Sequence, residues 1–435
     1  MSRPSHPTDR GGTNLVGLRC IRCGTAAEME HFNTGCPACA ARDLPANLAT
    51  VYDLERAGPS FERAIAGRPP GVWRYDALLP FAAEDAVTLG EGGTPLVEAP
   101  RLAGHLGLRR IWIKDESRNP TWSFKDRSAS LAATHAVQLR SPGLVVSSTG
   151  NAAASVAAYA RRAGLPAIVL VARGVDPIMS AFVRSYGAFV VGTATKADRW
   201  VLMRHCLEAW GWYAAGSFVS PPIGANPFMI DGYKSIGFEL WEQLGRRLPD
   251  WIFGPSGYTN AMYGIVKSFR ELAGMGLVDE ADVPRMGVAE AYDSLSRAIA
   301  SDAEVPHIAD LGATPATVAI SMGTAQNAYQ GLEAVRSTRG SATQVSNDAI
   351  LAAQRLLAES EGIFGETASA TGLAALVAAV ERRSIDPDAE VVILLTSTGL
   401  KTLAVTTSLD ATPPFAADAD EFAQVLRREY GYSPT

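Results

Sequence analysis

From residue 111 onward the sequence alternates between short, wholly apolar runs and longer segments of helical period, and few folds accommodate that alternation. The runs are Ile111-Trp112-Ile113, Leu144-Val145-Val146, Ala167-Ile168-Val169-Leu170-Val171, Phe189-Val190-Val191, Trp251-Ile252-Phe253 and Val391-Val392-Ile393-Leu394-Leu395. A strand with one wet face alternates polar and apolar residues, so a strand that is apolar throughout must be covered on both faces. The segments between, such as Asn151 to Ala163 and Asp231 to Leu244, carry the period of helices. The pattern predicts an α/β protein with parallel sheets between layers of helices. No internal repeat interrupts it. Gly274-Met275-Gly276 reads as a helix exit, Asp310 to Ala325 as loop, and Asp418 to Tyr430 as a short surface helix.

With 435 residues, the chain is long enough for two to three domains and a large core. A hydrophobic share of 47% with 19% charged residues is that of an ordinary soluble globular protein. The net charge of -6 gives no support for nucleic acid or an anionic membrane as partner. No apolar stretch reaches the roughly 18 residues that span a bilayer. The polar start Met1-Ser2-Arg3-Pro4-Ser5-His6-Pro7 lacks a signal-peptide core, so a cytoplasmic location is expected.

Four of the five cysteines, Cys20, Cys23, Cys36 and Cys39, form a Cys-x2-Cys-x12-Cys-x2-Cys pattern. Paired knuckles of this kind present four thiolates to one zinc ion, and a fully protein-filled shell leaves no open position for catalysis. Two disulfides are the alternative, which a reducing cytoplasm disfavours. Cys206 reads as a small buried hydrophobe. These features divide the chain into a loose start (residues 1–18), a zinc ribbon (19–45), a linker with Gly58-Pro59 and Pro69-Pro70-Gly71 (46–87), a main body (88–406) and a tail (407–435).

The string Asn119-Pro120-Thr121-Trp122-Ser123-Phe124-Lys125-Asp126-Arg127 sets one lysine among aromatic and hydroxylated neighbours. A lysine whose amine is kept unprotonated forms a Schiff base with an aldehyde. About 25 residues on, Ser147-Ser148-Thr149-Gly150-Asn151 follows an apolar run and opens a helix, a natural cradle for a carboxylate. Thr149 as a plain helix cap is the structural alternative. Gly254-Pro255-Ser256-Gly257-Tyr258-Thr259-Asn260 again joins a strand to a helix, where small residues and a helix start suit a phosphate.

The Lys125 string resembles the cofactor-lysine motif of the threonine synthases, pyridoxal-phosphate enzymes of the tryptophan-synthase-β fold (fold type II). Further strings extend the resemblance over roughly residues 88 to 402: Gly90-Glu91-Gly92-Gly93-Thr94-Pro95-Leu96, Asn226-Pro227 through Ser235, Glu361 through Ala370, and Leu395-Thr396-Ser397-Thr398-Gly399-Leu400-Lys401. It implies two doubly wound open-sheet domains with the cofactor between them, the smaller inserted at about residues 130–225. Lys125 would carry pyridoxal 5'-phosphate as a Schiff base and move the substrate's α-proton when released. Asn151 would meet the cofactor's phenolic oxygen, Thr396 its ring nitrogen, and Gly257, Tyr258, Thr259 and Asn260 its phosphate. Ser148 and Thr149 would hold the amino-acid carboxylate. A neutral hydroxyl at the ring nitrogen suits elimination and replacement chemistry. Some relatives also carry a ribbon, and they are commonly homodimers.

The resemblance implies a lyase that turns O-phosphohomoserine and water into threonine and phosphate. Lys114, Arg127 and Lys234 are the candidate cations for the substrate's phosphate. Trp122 and Ser128 stand where glycines are usual in the family, Ser397 and Thr398 where Gly and His are, and Thr367 where proline is. These departures keep open a β-replacement or elimination enzyme acting on O-phosphoserine or another β-substituted amino acid, as in cysteate-synthase-like or specialised metabolism. A catalytically silent zinc-ribbon protein is the third reading, which Lys125, Asn151 and Thr396 oppose.

Overall fold

The computed structural model describes residues 13–173, 176–312, 316–403, 416 and 419–433. The chain forms two units, residues 1–401 and 402–435. Residues 1–12 of the expected loose start, 404–406 of the expected main body, and 407–415, 417–418 and 434–435 of the expected tail lie outside the described residues.

Thirteen strands are described, and they build three sheets. At the N-terminus, β1 (Leu15–Cys20) pairs antiparallel with β2 (Ala26–Ala27) and β3 (Leu48–Tyr52). A large sheet of six follows: β4 (Leu96–Glu98), β5 (Arg110–Asp115), β10 (Trp251–Pro255), β11 (Arg285–Glu290), β12 (Ser341–Gln344) and β13 (Glu390–Leu395). Its order is β12-β11-β10-β13-β5-β4, parallel except at the β4 edge. Between β5 and β10 the chain makes a second, fully parallel sheet in the order β8-β7-β6-β9, from β6 (Leu144–Ser147), β7 (Ala167–Ala172), β8 (Phe189–Thr193) and β9 (Tyr213–Ala214). The helices in chain order are α1 (Pro37–Ala40), α2 (Leu54–Gly67), α3 (Pro100–Leu106), α4 (Lys125–Gln138), α5 (Asn151–Arg162), α6 (Pro177–Ser185), α7 (Lys196–Trp210), α8 (Pro227–Gln243), α9 (Asn260–Gly274), α10 (Ser294–Ala300), α11 (Tyr329–Ser337), α12 (Asn347–Glu361), α13 (Thr367–Glu381) and α14 (Ala419–Tyr430).

All six apolar runs are strands, and β13 shows why they lack alternation. Val392 and Leu394 pack into one apolar cluster with α8 and α9, while Val391, Ile393 and Leu395 pack into another with α3, α12 and α13. Every residue of β13 is buried. The inner strands β6 and β7 of the small sheet are likewise covered on both faces, unlike its exposed edge β8: Val145 and Leu170 meet Met203 and Cys206 of α7, whereas Val146 and Val169 face α5. Cys206 is thus a core residue.

The stretch read as a linker is packed structure. Residues of β3 pair with β1 in the register Leu18↔Thr50. In α2 the buried Phe61 lies 5.1 Å from the Phe238 ring and 5.8 Å from Tyr75. Pro59 sits inside α2 and removes only the bond that its nitrogen would give to Glu55. Thr50 and Tyr52 donate to the Asp231 carboxylate at 2.6 and 2.5 Å, which ties the ribbon sheet to α8.

Candidate functional site

In open α/β sheets ligands bind beyond the carboxyl ends of the strands, and the chemistry of this chain collects there. The Lys125 loop follows β5, Thr396 follows β13, Gly257–Asn260 follows β10, and Ser148–Asn151 follows β6.

The Lys125 loop is braced by its other polar residues. Asp126 accepts from Thr121 N (2.6 Å), Thr121 Oγ1 (2.5 Å) and Ser155 Oγ (2.6 Å). Burial pushes the Asp126 carboxyl up to about 6, against those donors and the Lys401 charge. Asn119 accepts from Gly92 N at 2.9 Å and donates to Glu116. Phe124 N donates to Thr396 O at 2.9 Å, and Ser123 pairs with Ser397 across an isolated bridge. Lys125 is the exception, because its Nζ faces rings, 4.3 Å from Phe124 and 5.6 Å from Tyr233. Trp122 stands half exposed at φ 60°, a left-handed conformation that favours glycine, and its indole lies 5.5 Å from the Phe182 ring of α6.

Asn151 lies at the start of α5 with both ends of its amide engaged. Its Nδ2 donates to Glu366 Oε1 (2.9 Å) and Oε2 (3.0 Å), and its Oδ1 accepts from Lys401 Nζ (2.7 Å) and Ser397 Oγ (3.3 Å). The single Ser397 O–H is shared with Trp122 O, which lies nearer at 3.0 Å. The Thr396 hydroxyl is buried 2.9 Å from Ser369 Oγ. Burial raises Glu366 above the usual carboxylate range, opposed by Asn151 and Lys401. Ser148 and Thr149 sit half buried in the turn before α5. The N-cap of that helix is Gly150 and no side chain caps it, so Thr149 capping is not formed.

The Gly254–Asn260 turn is rigid for a different reason. Thr259 adopts φ 56° and its Oγ1 donates to Asn327 Oδ1 at 2.8 Å. Asn260 Oδ1 accepts from Ala225 N at 3.1 Å and from Gln330 Nε2. These two side chains brace the loop, and the backbone N–H groups of the first turn of α9 point back towards it. Tyr258 Oη and Ser123 Oγ are buried with no hydrogen-bond partner among the described residues.

The three cations expected at a substrate phosphate are placed elsewhere. Arg127 is fully buried, bonded to Glu116 (2.7 and 2.8 Å), Glu239 (2.7 and 2.7 Å) and Ser235 Oγ (2.8 Å). Lys114 Nζ donates to Glu239 at 2.7 Å, and Lys234 Nζ lies 2.9 Å from Glu271. Each is held by a buried carboxylate, so none is available to a ligand; they are scaffold, neither surface charges nor phosphate ligands. Asp126, Glu366, Ser369 and Lys401 are site residues to which sequence reasoning gave no role, although all four lie inside the strings that carried the resemblance.

At the N-terminus the sulfur atoms of Cys20, Cys23, Cys36 and Cys39 all lie within 4.8 Å of one another. The pairs Cys20–Cys39 and Cys23–Cys36 stand at 3.6 and 3.8 Å, too far for disulfides. A tetrahedron with metal–sulfur bonds of about 2.3 Å has edges of about 3.8 Å. Burial pushes the Cys20 thiol up to about 12, and the Thr25 hydroxyl and backbone hold Cys23 down to about 6.

Residues 87–397 match the family profile of pyridoxal-phosphate dependent enzymes. The chain is similar to threonine synthase of Methanosarcina acetivorans, with 34% identity over 393 residues, covering 89% of this chain and 92% of that protein. It is similar to the same extent to threonine synthase of Methanocaldococcus jannaschii, with 34% identity over 88% of this chain and 92% of that one. Among solved structures, the processed form of threonine deaminase isoform 2 from Solanum lycopersicum superposes with a TM-score of 0.61, at 20% identity over 84% of this chain and 97% of that one.

Proposed function

Because the chain belongs to the pyridoxal-phosphate dependent enzymes, among their threonine-synthase-like lyases, we propose that it converts O-phosphohomoserine and water to threonine and phosphate. The reading is carried by one observation: the Lys125 loop, the Asn151 turn and the Thr396 strand end are knit together by Phe124–Thr396, Ser397–Trp122 and Ser397–Asn151 hydrogen bonds. A polar cofactor suits the buried, unpartnered hydroxyls of Ser123, in the Lys125 loop, and Tyr258, in the turn after β10. When bound, pyridoxal phosphate supplies an electron sink for a carbanion at Cα.

The chain's own residues supply the rest. Lys125 anchors the cofactor and, once released by the incoming amino acid, moves protons at Cα and then at Cβ. Ser148, Thr149 and the uncapped start of α5 receive the substrate carboxylate. Gly257, Tyr258 and the first N–H groups of α9 receive the cofactor phosphate, with Thr259 and Asn260 bracing them. Thr396 meets the ring nitrogen with a neutral hydroxyl, and Asn151 meets the phenolic oxygen. The four ribbon cysteines hold one structural zinc ion, the protein is a cytoplasmic homodimer, and the segment spanning β6–β9 is the smaller inserted domain.

Purified protein with pyridoxal phosphate and O-phosphohomoserine should release phosphate and threonine in equal amounts, and Lys125→Ala should release neither. A wild type that is loaded with cofactor but makes no threonine overturns the substrate. A second reading, β-replacement or elimination on a β-substituted amino acid such as O-phospho-L-serine, is favoured by the Trp122–Phe182 aromatic wall. Assaying O-phospho-L-serine in parallel separates the two.

A further inference from the structure

Lys125 and the exposed Lys196 apart, the lysines of the first unit fall into two kinds. Lys114, Lys234 and Lys267 each lie within 3.5 Å of a carboxylate. Lys401 differs. From the turn after β13 it reaches two neutral oxygens, Thr121 O and Asn151 Oδ1, each 2.7 Å from its Nζ. Those acceptors belong to the Lys125 loop and to the start of α5, so one ammonium links the two. Its body lies near the Phe182 ring, with the Nζ 5.8 Å from the centroid.

Beyond Asn151 stands Glu366, at the start of α13, which takes the other end of the same amide. The result is a chain of cation, amide and carboxylate drawn from three separate elements. An amide has one accepting and one donating end. Turning it over would set its NH2 against the Lys401 ammonium and its oxygen against the Glu366 carboxylate. Both present contacts are charge-assisted, the stronger kind of hydrogen bond. Lys401 and Glu366 together therefore fix the polarity of Asn151.

We propose that Lys401 is a positioning residue of this site: it fixes the polarity of the Asn151 amide, so that the NH2 end, which here gives to Glu366, and not the carbonyl is the end that meets an anionic oxygen of the cofactor. The proposal rests on Lys125 as the attachment lysine, which borohydride reduction and peptide mass mapping test separately. A wild type whose reduced adduct is not on Lys125 overturns both; an adduct on Lys125 leaves the variants below to decide the proposal.

The test uses the full-length holoenzyme and the variants Lys401→Met and Lys401→Gln, each alone and combined with Asn151→Ala. The readouts are the dissociation constant for pyridoxal phosphate, the pH titration of the absorbance of the cofactor on Lys125, and the melting temperature. In Lys401→Met the adduct stays on Lys125, while the dissociation constant rises about tenfold, the loss of one charge-assisted hydrogen bond. Burial pushes the Lys401 ammonium down to about 8, opposed by Glu366 and Asp126, so the wild type shows a spectral step near that pH. The step is absent from both Lys401 variants. The groups facing Lys401 are Glu366 of α13, Asp126 of α4, the Thr121 carbonyl and the Asn151 amide, and none of them is altered in the single variants. Glutamine keeps a neutral donor towards Asn151, so Lys401→Gln loses the step but binds cofactor more tightly than Lys401→Met. In the Asn151→Ala background, replacing Lys401 no longer weakens cofactor binding. Wild-type affinity and titration in Lys401→Met would overturn the proposal, as would an undiminished loss of affinity in the Asn151→Ala background. Should Lys401→Met fail to fold, Lys401→Gln carries the same criteria on the spectral step.

Discussion

Replacing Glu239 with glutamine isolates the buried charges that hold the Lys125 helix. The carboxylate is 3% exposed and accepts from Lys114 Nζ, from two nitrogens of Arg127 and from Gly93 N, at 2.7 to 2.8 Å. Burial acts to raise its pKa, but Arg127 and Lys114 outweigh it and bring the group from 4.5 down to about 2. A folded pKa below the unfolded value means stability that is present in full above pH 4.5 and is lost as pH falls through 2. The difference, 4.5 minus 2, corresponds to about 3 kcal/mol at neutral pH. Breaking a buried ion pair from one side costs about 3–5 kcal/mol, which agrees. With an unfolding entropy of about 2 cal/mol/K per residue, that loss lowers the melting temperature by roughly 3–6 °C in a chain of this length. Thermal melts of wild type and Glu239→Gln across the pH range test it. The gap should be widest above pH 4.5 and narrow towards pH 2, where the wild-type carboxyl gains its own proton. A gap under about 1 °C at neutral pH, or one that does not change with pH, refutes the electrostatic reasoning.

Three further substitutions or treatments follow from the geometry. Trp122→Gly removes a left-handed strain of about 1 kcal/mol and a ring contact with Phe182 of about 1 kcal/mol; stability should hardly change, while KM falls for amino acids with bulkier side chains, and an unaltered substrate range would show that the indole does not shape the pocket. Gly224 has φ 90°, and an added Cβ would come 2.5 Å from Asn260 Oδ1, so Gly224→Ala should displace the phosphate-loop brace and weaken pyridoxal phosphate binding at least tenfold, by equilibrium dialysis, a cost of roughly 1.4 kcal/mol or more. Elemental analysis should find one zinc per chain, lost in Cys36→Ser together with several degrees of melting temperature, whereas Cys206→Ser keeps the metal.

What could be read from the sequence follows from how local each feature is. The strands β5, β6, β7, β10 and β13 announce themselves because burial on both faces leaves few polar positions, whereas β8 is apolar although Phe189 and Val191 stand exposed. Arg285–Glu290 and Ser341–Gln344 do not, since β12 is an edge strand with a polar sequence and β11 begins and ends in charged residues. The segment 46–87 reads as a linker from its prolines, yet its buried face is made by Phe61, Tyr75, Leu78 and Phe81, whose partners lie far along the chain. The Lys125 string is legible as a motif, but its logic is not. Asp126 and Arg127 are there to brace the loop, and their partners Ser155, Glu116 and Glu239 are spread over more than 100 residues.

The fate of the cations makes the same point in physical terms. A charge count assigns Lys114, Arg127, Lys234 and Lys401 equal claims on an anionic ligand, because sequence carries no information about which carboxylate each will meet. The fold separates them. An ammonium or guanidinium in direct contact with a buried carboxylate holds two elements together, and releasing it to a ligand would strand the opposite charge in the interior at a cost of several kcal/mol. Such groups cannot serve a substrate that comes and goes. Lys401 meets neutral oxygens instead, and its charge reaches Glu366 and Asp126 only beyond direct contact, so a ligand can change its partners without breaking an ion pair. Contact with a carboxylate therefore separates the interior lysines, and by that criterion Lys125, facing two aromatic rings, and Lys401, facing an amide and a carbonyl, are the two not committed to an ion pair.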